Sequence, residues 1–73
     1  MLERLRDLRQ DRDLSQKKIA EMLHIGQTTY SDYELGKINI PVDILKALAI
    51  FFDTSIDYLL ELTDVSTPYP RKK

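Results

Sequence analysis

The feature that most constrains this chain is the spacing of its apolar residues, which recur every three or four positions in short segments. Leu2, Leu5 and Leu8 begin the pattern, and their spacing places them on one face of an amphipathic helix. Turn-forming residues interrupt the periodicity after each segment. The pattern predicts helices at about residues 1–12, 16–23, 27–35 and 41–52, with a short fifth helix after Ser55. We therefore expect an all-α fold of five helices.

Individual residues mark the expected ends of these helices. Ser15 and Ser55 are favourable N-cap residues, because a hydroxyl accepts a hydrogen bond from the first helical turn. Pro41 suits the first turn of the fourth helix, and Gly36 suits a left-handed residue after the third. The turn at residues 24–26 joins the second and third helices into one unit at about residues 15–35.

The composition excludes several classes of protein. A chain of 73 residues forms one domain, and with no cysteine and one histidine it has neither a disulfide nor a common zinc framework. It has no apolar run of membrane-spanning length and no signal-peptide block, so we expect a cytoplasmic protein. It also lacks a Gly-rich phosphate loop and a Ser–His–acid set at motif spacing. We expect no enzyme activity, no cofactor and no metal site.

The composition changes after Asp64. The following segment is rich in proline and ends in three basic residues, a combination that does not continue a helix. We predict a folded domain over residues 1–64 and a flexible basic tail over residues 65–73.

The third helix carries the residues of greatest functional interest. A helix in the major groove recognises bases through polar side chains on its outward face: Gln pairs with adenine, Thr contacts thymine, and Asp accepts from cytosine. Tyr30 and Tyr33 are spaced to pack inward, and the polar residues that then point elsewhere, near the N-terminal end of this helix, are Gln27, Thr28, Thr29 and Asp32. Periodicity alone fits a solvated face equally well. The net charge of −1 means that any nucleic-acid contact depends on a local surface.

Three groups of residues stand at spacings that are specific in combination. They are Leu14-Ser15-Gln16 with Ile19-Ala20, Tyr33-Glu34 with Gly36-Lys37, and Ser55 with Asp57-Tyr58-Leu59-Leu60. Together they resemble the phage-repressor/Cro-type (XRE-type) helix-turn-helix family over residues 2–62. The resemblance implies a lambda-repressor-like domain that regulates transcription as a repressor. It also implies a homodimer on double-stranded DNA with a near-palindromic operator, with helix 27–35 in the major groove.

The resemblance also implies roles for individual residues. The base-contacting positions are Gln27, Thr28, Thr29 and Asp32, and the phosphate-contacting positions are Gln16, Lys17, Lys37 and Asn39. The family pairs the positions of Arg9 and Glu34 in a partly buried salt bridge, which we favour over a catalytic or base-contacting role. The other arginines of the first helix, Arg4, Arg6 and Arg12, are expected on a solvated face.

The sequence departs from the family pattern at the DNA-facing surface. Asp32 stands where Arg or Gln is common, so it repels phosphates unless it accepts a hydrogen bond from a cytosine. Ile38 and Ile40 occupy a loop in which many relatives carry basic residues. Gly26 replaces the usual Ser or Thr cap of the third helix, at little expected cost. These departures predict weak non-specific affinity for DNA.

Dimerisation is predicted to use the fifth helix and nearby parts of the fourth. Ile56, Leu59 and Leu60 offer more apolar surface than a short terminal helix needs for docking. The alternative function is an antitoxin or a protein-interaction module of the same fold, with a partner such as a toxin. The near-neutral charge and the apolar Ile38 and Ile40 favour that alternative, and a co-purifying partner would discriminate the two.

Overall fold

The computed structural model describes residues 2–70, and within that range the regular structure is entirely helical. The helices are α1 (Glu3–Asp11), α2 (Gln16–Met22), α3 (Gln27–Leu35), α4 (Val42–Phe51) and α5 (Ile56–Leu59). The prediction of an all-α, five-helix fold is confirmed. None of the helices in residues 2–70 combines the length and hydrophobicity that a membrane span requires.

Every helix contributes one fully buried large side chain to the core. These five residues are Leu5, Ile19, Tyr30, Leu48 and Leu59, which come from α1 to α5 in that order. Burying a side chain of this size stabilises the fold by about 1.5–3 kcal/mol relative to leaving it exposed. The core therefore depends on the packing of all five helices, because no single pair of helices encloses it.

The C-termini of all five helices share one geometry. A left-handed residue, with φ between 52° and 74°, ends each helix: Asp13, His24, Gly36, Asp53 and Glu61. In α3 it is the C-cap itself, and in the other four helices it follows the C-cap. At the end of α1, for example, the Leu14 amide donates to the Arg9 carbonyl at 3.1 Å and the Asp13 amide donates to the Gln10 carbonyl at 2.9 Å. This pair of hydrogen bonds is the Schellman motif, which satisfies carbonyls at a helix end. Four of the five positions carry a side chain where glycine is less strained.

Arg4 and Arg12 fasten α1 to the C-terminal ends of two other helices. Arg4 Nη1 donates to the Tyr58 and Thr63 carbonyls at 3.1 and 2.6 Å, and its guanidinium lies 4.2 Å from the centre of the Tyr58 ring. Arg12 Nη1 donates to the Phe51 carbonyl at 2.9 Å. A cation at these carbonyls also complements the helix dipole. The prediction of a solvated position is therefore wrong for Arg4. Arg12 is exposed as expected, but it also donates a hydrogen bond to another helix.

The segment after α5 returns over α4 and α5. The buried Thr54 hydroxyl donates to the Ser66 carbonyl at 2.7 Å, and the Tyr69 hydroxyl donates to Asp57 Oδ2 at 2.7 Å. The Asp57 carboxylate raises the pKa of that exposed tyrosine. The domain boundary after residue 64 and the flexibility of the tail stay predictions, and the basic end at residues 71–73 lies outside the described residues.

Candidate nucleic-acid interface

Two short helices and the four residues that join them, 23–26, form the candidate interface. α2 begins at Ser15, whose Oγ accepts a hydrogen bond from the Lys18 amide at 3.0 Å. The left-handed His24 ends α2, and the extended Gly26 starts α3 without a side-chain cap. Because the turn is short, the two helices pack through a shared core that includes Ile19 and Tyr30. This packing sets the angle at which α3 is presented.

The faces of α3 are defined by its buried residues. Tyr30, Tyr33 and Glu34 point into the core. At about 100° per residue, positions 28, 32 and 35 lie on the opposite side of the helix. The side of α3 directed away from the core is therefore polar over its first two turns.

The four predicted base-contacting residues all lie on α3, within its first two turns. Gln27 and Thr28 are exposed, whereas Thr29 and Asp32 are half-buried. None of the four side chains makes a hydrogen bond or ion pair within residues 2–70. Their donors and acceptors are thus available to an external partner.

A buried ion pair supports α3 from behind. Arg9 Nε donates to Glu34 Oε2 at 2.7 Å, and Arg9 Nη2 donates to Glu34 Oε1 at 3.3 Å. Arg9 Nη1 also donates to the Leu14 carbonyl at 2.7 Å, just before α2. The exposed fractions are 9% for Arg9 and 3% for Glu34. The pair therefore connects α1, the residue before the N-cap of α2 and the C-terminal end of α3.

The environment of the pair shifts the pKa values of its members. Burial by itself raises the pKa of Glu34, but hydrogen bonding to Arg9 and to Gln16, together with the nearby Tyr30 hydroxyl, lowers it below 4.5. The hydrogen bond to Glu34 raises the pKa of Arg9. Burial, and then the Glu34 carboxylate, raise the pKa of Tyr30. The buried Tyr30 hydroxyl nevertheless makes no hydrogen bond to any other group within residues 2–70.

Gln16 belongs to the same network, which sequence reasoning missed. Its Nε2 donates to Glu34 Oε1 at 3.2 Å, so one amide N–H of this predicted phosphate-contacting residue is already used. The signal for this contact is non-local, since Gln16 and Glu34 are 18 positions apart. The remaining amide N–H of Gln16 is the one that stays available for a phosphate.

The remaining predicted phosphate-contacting residues lie at the two ends of the α2–α3 unit. Lys17 is in the first turn of α2, and Lys37 and Asn39 follow α3; all three are exposed. Neither lysine forms an ion pair within residues 2–70, and the same holds for the neighbouring Lys18. A lysine at a helix N-terminus opposes the helix dipole. Because Lys17 and Lys18 do not stabilise α2, their placement favours a contact with another molecule.

The structure corrects the predicted dimer residues. Leu59 is 1% exposed and belongs to the core, so its assignment to an intermolecular interface is wrong. A helix of four residues has one inward face, and Leu59 occupies it. Ile56 also packs partly against the core, and Leu60 is half-buried.

An apolar surface nevertheless lies beside α5, at the C-terminal end of α3. An open cleft of about 390 Å³ is lined mainly by Leu2, Ile38, Ile40, Leu45 and Leu60. At its loop edge Ile38 is 45% exposed, and Leu62, just beyond Leu60 in the chain, is 73% exposed. We name Ile38 and Leu60, which line this cleft, the α3–α5 apolar surface. Apolar residues that line one open cleft mark an interaction site more often than scattered ones do.

Known proteins resemble this chain over nearly all of its helical part. A family model described as helix-turn-helix matches residues 5–59. YobD of Bacillus subtilis, an uncharacterized HTH-type transcriptional regulator, is 38% identical over 71 residues, which are 97% of this chain and 63% of YobD. BcrR of Enterococcus faecalis, an HTH-type transcriptional activator, is 35% identical over 89% of this chain and 32% of its own length. No solved structure matches the chain.

A phage protein is similar as well. The cryptic phage CTXphi transcriptional repressor RstR of Vibrio cholerae is 35% identical over 78% of this chain and 51% of its own length. The chain thus spans between about a third and two thirds of the length of these relatives. Each of these relatives is named as a regulator, an activator or a repressor of transcription.

Proposed function

Because this chain belongs to the phage-repressor type of the helix-turn-helix family, we propose that it is a sequence-specific DNA-binding regulator of transcription. In this proposal α3 lies in the major groove and α2 crosses the DNA backbone. Gln27, Thr28, Thr29 and Asp32 contact base edges. Gln16, Lys17, Lys37 and Asn39 contact phosphates, which fix the register without selecting a sequence.

The observation that carries the proposal is the contrast between the two sides of α3. One side is packed against the core through the Arg9–Glu34 ion pair and two buried tyrosines. The other side presents polar side chains without intramolecular partners. A binding residue contributes most when a rigid element already holds it in place. A solvated helix face needs no such buried support.

We assign the working unit as a two-fold dimer that uses the α3–α5 apolar surface. This surface lies at the C-terminal end of α3, so a second copy can pack there without covering the N-terminal half of the helix. One recognition helix contacts too few base pairs to find a site in a genome, and a dimer doubles that number. Two-fold symmetry predicts a near-palindromic operator with half-sites about 10 base pairs apart.

Repression is the mode of regulation that we favour. A dimer on an operator that overlaps a promoter excludes RNA polymerase without any further contact. Activation instead needs an additional surface for the polymerase. The named relatives include one activator and one repressor, so in vitro transcription from a promoter that carries the selected site is the deciding measurement.

The test of DNA recognition is selection of bound sequences from a random pool. Gln27→Ala should weaken binding by about 1–3 kcal/mol per half-site and relax preference at one base pair in each half-site. Gln10→Ala is the matched control, because Gln10 is an exposed glutamine on α1; it should leave the selected sequence unchanged. A Gln27→Ala variant that keeps both the affinity and the selected sequence would reject this orientation of α3.

The test of the dimer is sedimentation at micromolar concentration with and without the selected DNA. Ile38→Asp should give folded monomers that bind the operator weakly. Ile50→Asp is the control, since Ile50 is 61% exposed but lies on α4 beside the returning tail. A parent protein that stays monomeric on a non-palindromic site would reject the dimer. That outcome would favour the antitoxin or protein-interaction alternative, with Ile38 facing a different partner.

A further inference from the structure

We infer that Asp32 is a specificity-determining residue that selects a cytosine in each operator half-site. The inference rests on the proposed placement of α3 in the major groove. It concerns which base is chosen, and it assigns a function to the acid that departs from the family pattern at the centre of a DNA-facing helix.

Asp32 occupies the part of α3 that is directed away from the core. It lies one helical turn after Thr28 and two positions after the fully buried Tyr30. A separation of two residues on a helix corresponds to about 200°, so Asp32 and Tyr30 point in opposite directions. Asp32 as a whole residue is half-buried.

No cation within the described residues neutralises the Asp32 carboxylate. The ion pairs of Arg4, Arg6 and Arg9 use Asp64, Asp7 and Glu34 as their acids, and Asp32 belongs to none of them. The contact of Asp32 with Lys37 runs between main-chain atoms, as the Lys37 amide donates to the Asp32 carbonyl at 3.0 Å. α3 itself contains no lysine or arginine. Both carboxylate oxygens are therefore free acceptors on the helix that faces DNA.

The chemistry of base edges determines which base such an acceptor tolerates. Guanine presents N7 and O6 to the major groove, and thymine presents O4, so both oppose a carboxylate with acceptors. Adenine presents one acceptor beside one donor. Cytosine presents the N4 amino donor, and Asp accepts a hydrogen bond from it. Cytosine is the only base whose hydrogen-bonding edge in that groove matches an acceptor-only side chain throughout.

The same carboxylate also lowers affinity for DNA of the wrong sequence. An acid near the phosphates opposes the counterion-release contribution that drives non-specific binding. At the selected site the hydrogen bond from cytosine offsets this repulsion. Asp32 thus increases the ratio of specific to non-specific binding in two ways: it repels DNA of the wrong sequence and it accepts a hydrogen bond at the selected site. This increase matters because Lys17, Lys18 and Lys37 provide only a small positive surface for attracting DNA.

The experiment combines sequence selection with substitutions at this one residue. The parent should select a half-site with one strongly preferred cytosine, and changing that base to guanine should weaken binding roughly 5- to 150-fold. Asp32→Ala should lose the preference at this base pair alone and should raise affinity for random DNA. Asp32→Asn keeps the shape and supplies an amide that pairs with adenine, so its preference should change from cytosine to adenine.

Asp11→Asn is the matched control, because Asp11 is an exposed acid that lines a groove between α1 and α5. It removes the same charge and should leave the selected sequence unchanged. Circular dichroism and melting temperature should show that every variant folds like the parent. If the parent selects a sequence that Asp32→Ala and Asp32→Asn select equally, the inference is overturned while the proposed function stands. If the parent selects no sequence at all, both fall.

Discussion

Replacing Glu34 by alanine is the sharpest test of how this small fold is held together. The substitution removes the acid from a pair in which both partners are buried, with exposed fractions of 3% for Glu34 and 9% for Arg9. It leaves the guanidinium with the Leu14 carbonyl as its remaining side-chain hydrogen bond among residues 2–70. It also removes the acceptor of the Gln16 amide. Both consequences destabilise the same region.

The expected magnitude follows from the uncompensated charge. Breaking a buried pair by removing one partner costs about 3–5 kcal/mol, because the other charge stays desolvated. A domain of this length has a total free energy of unfolding of about 4–11 kcal/mol. The loss is therefore a large share of the stability of the domain. It should lower the melting temperature by roughly 12–40 °C.

Thermal and urea unfolding of four proteins separate this explanation from a general packing loss. Glu34→Ala should melt far below the parent, whereas Glu21→Ala, at an exposed position of α2, should stay within about 0.5 kcal/mol. The double variant Arg9→Met with Glu34→Leu should recover most of the lost stability, because no charge is then left buried. A Glu34→Ala protein that melts within two degrees of the parent, or a double variant no better than it, refutes the reasoning.

Three further predictions concern pH, helix ends and salt. Because the folded-state pKa of Glu34 is lowered, the stabilisation that its carboxylate provides is complete above the unfolded pKa of about 4.5. It is lost as the pH falls through the folded pKa. Urea unfolding at a series of pH values should therefore show that the free energy of unfolding falls less steeply with acid for Glu34→Gln than for the parent. Glu61→Gly should stabilise by about 0.5–1 kcal/mol, because φ is 63° there, and calorimetry should show no gain for Glu61→Ala. Lys37→Ala should reduce the slope of log K against log salt by about 0.9 for each subunit, or about 1.8 for the dimer, and an unchanged slope, equal to that of the control Lys46→Ala, would contradict the phosphate contact.

The local part of the structure could be predicted because its causes lie within a few residues. Helix positions follow from apolar spacing, and Ser15 and Ser55 cap their helices as their hydroxyls predict. Gly36 takes the left-handed conformation expected of it. The other four left-handed positions carry Asp, His or Glu, which give a weaker signal, because residues with a side chain adopt that conformation less readily than glycine does.

The long-range part could not be predicted from spacing. Arg4 reaches carbonyls 54 and 59 positions away, and a polar residue on a helix carries no mark of a distant acceptor. The prediction that Leu59 lies in a dimer interface fails for a related reason. Its apolar side chain does not indicate whether it faces the core of its own chain or a second copy. Only the packing of α5 against α1 and α4 decides that question.

The buried network makes stability and recognition difficult to separate in this chain. Arg9 binds Glu34 of α3 and the carbonyl that precedes α2, and Gln16 joins the same carboxylate. The Leu2 amide adds a hydrogen bond to the Glu34 carbonyl at 2.8 Å. A variant of this network therefore loses operator affinity in two ways, through a smaller folded fraction and through a shifted α3. The two effects separate with temperature, because the folded fraction recovers on moderate cooling whereas misplaced base contacts persist. Any loss of operator affinity that remains in a fully folded variant therefore measures how much the network contributes to the position of α3.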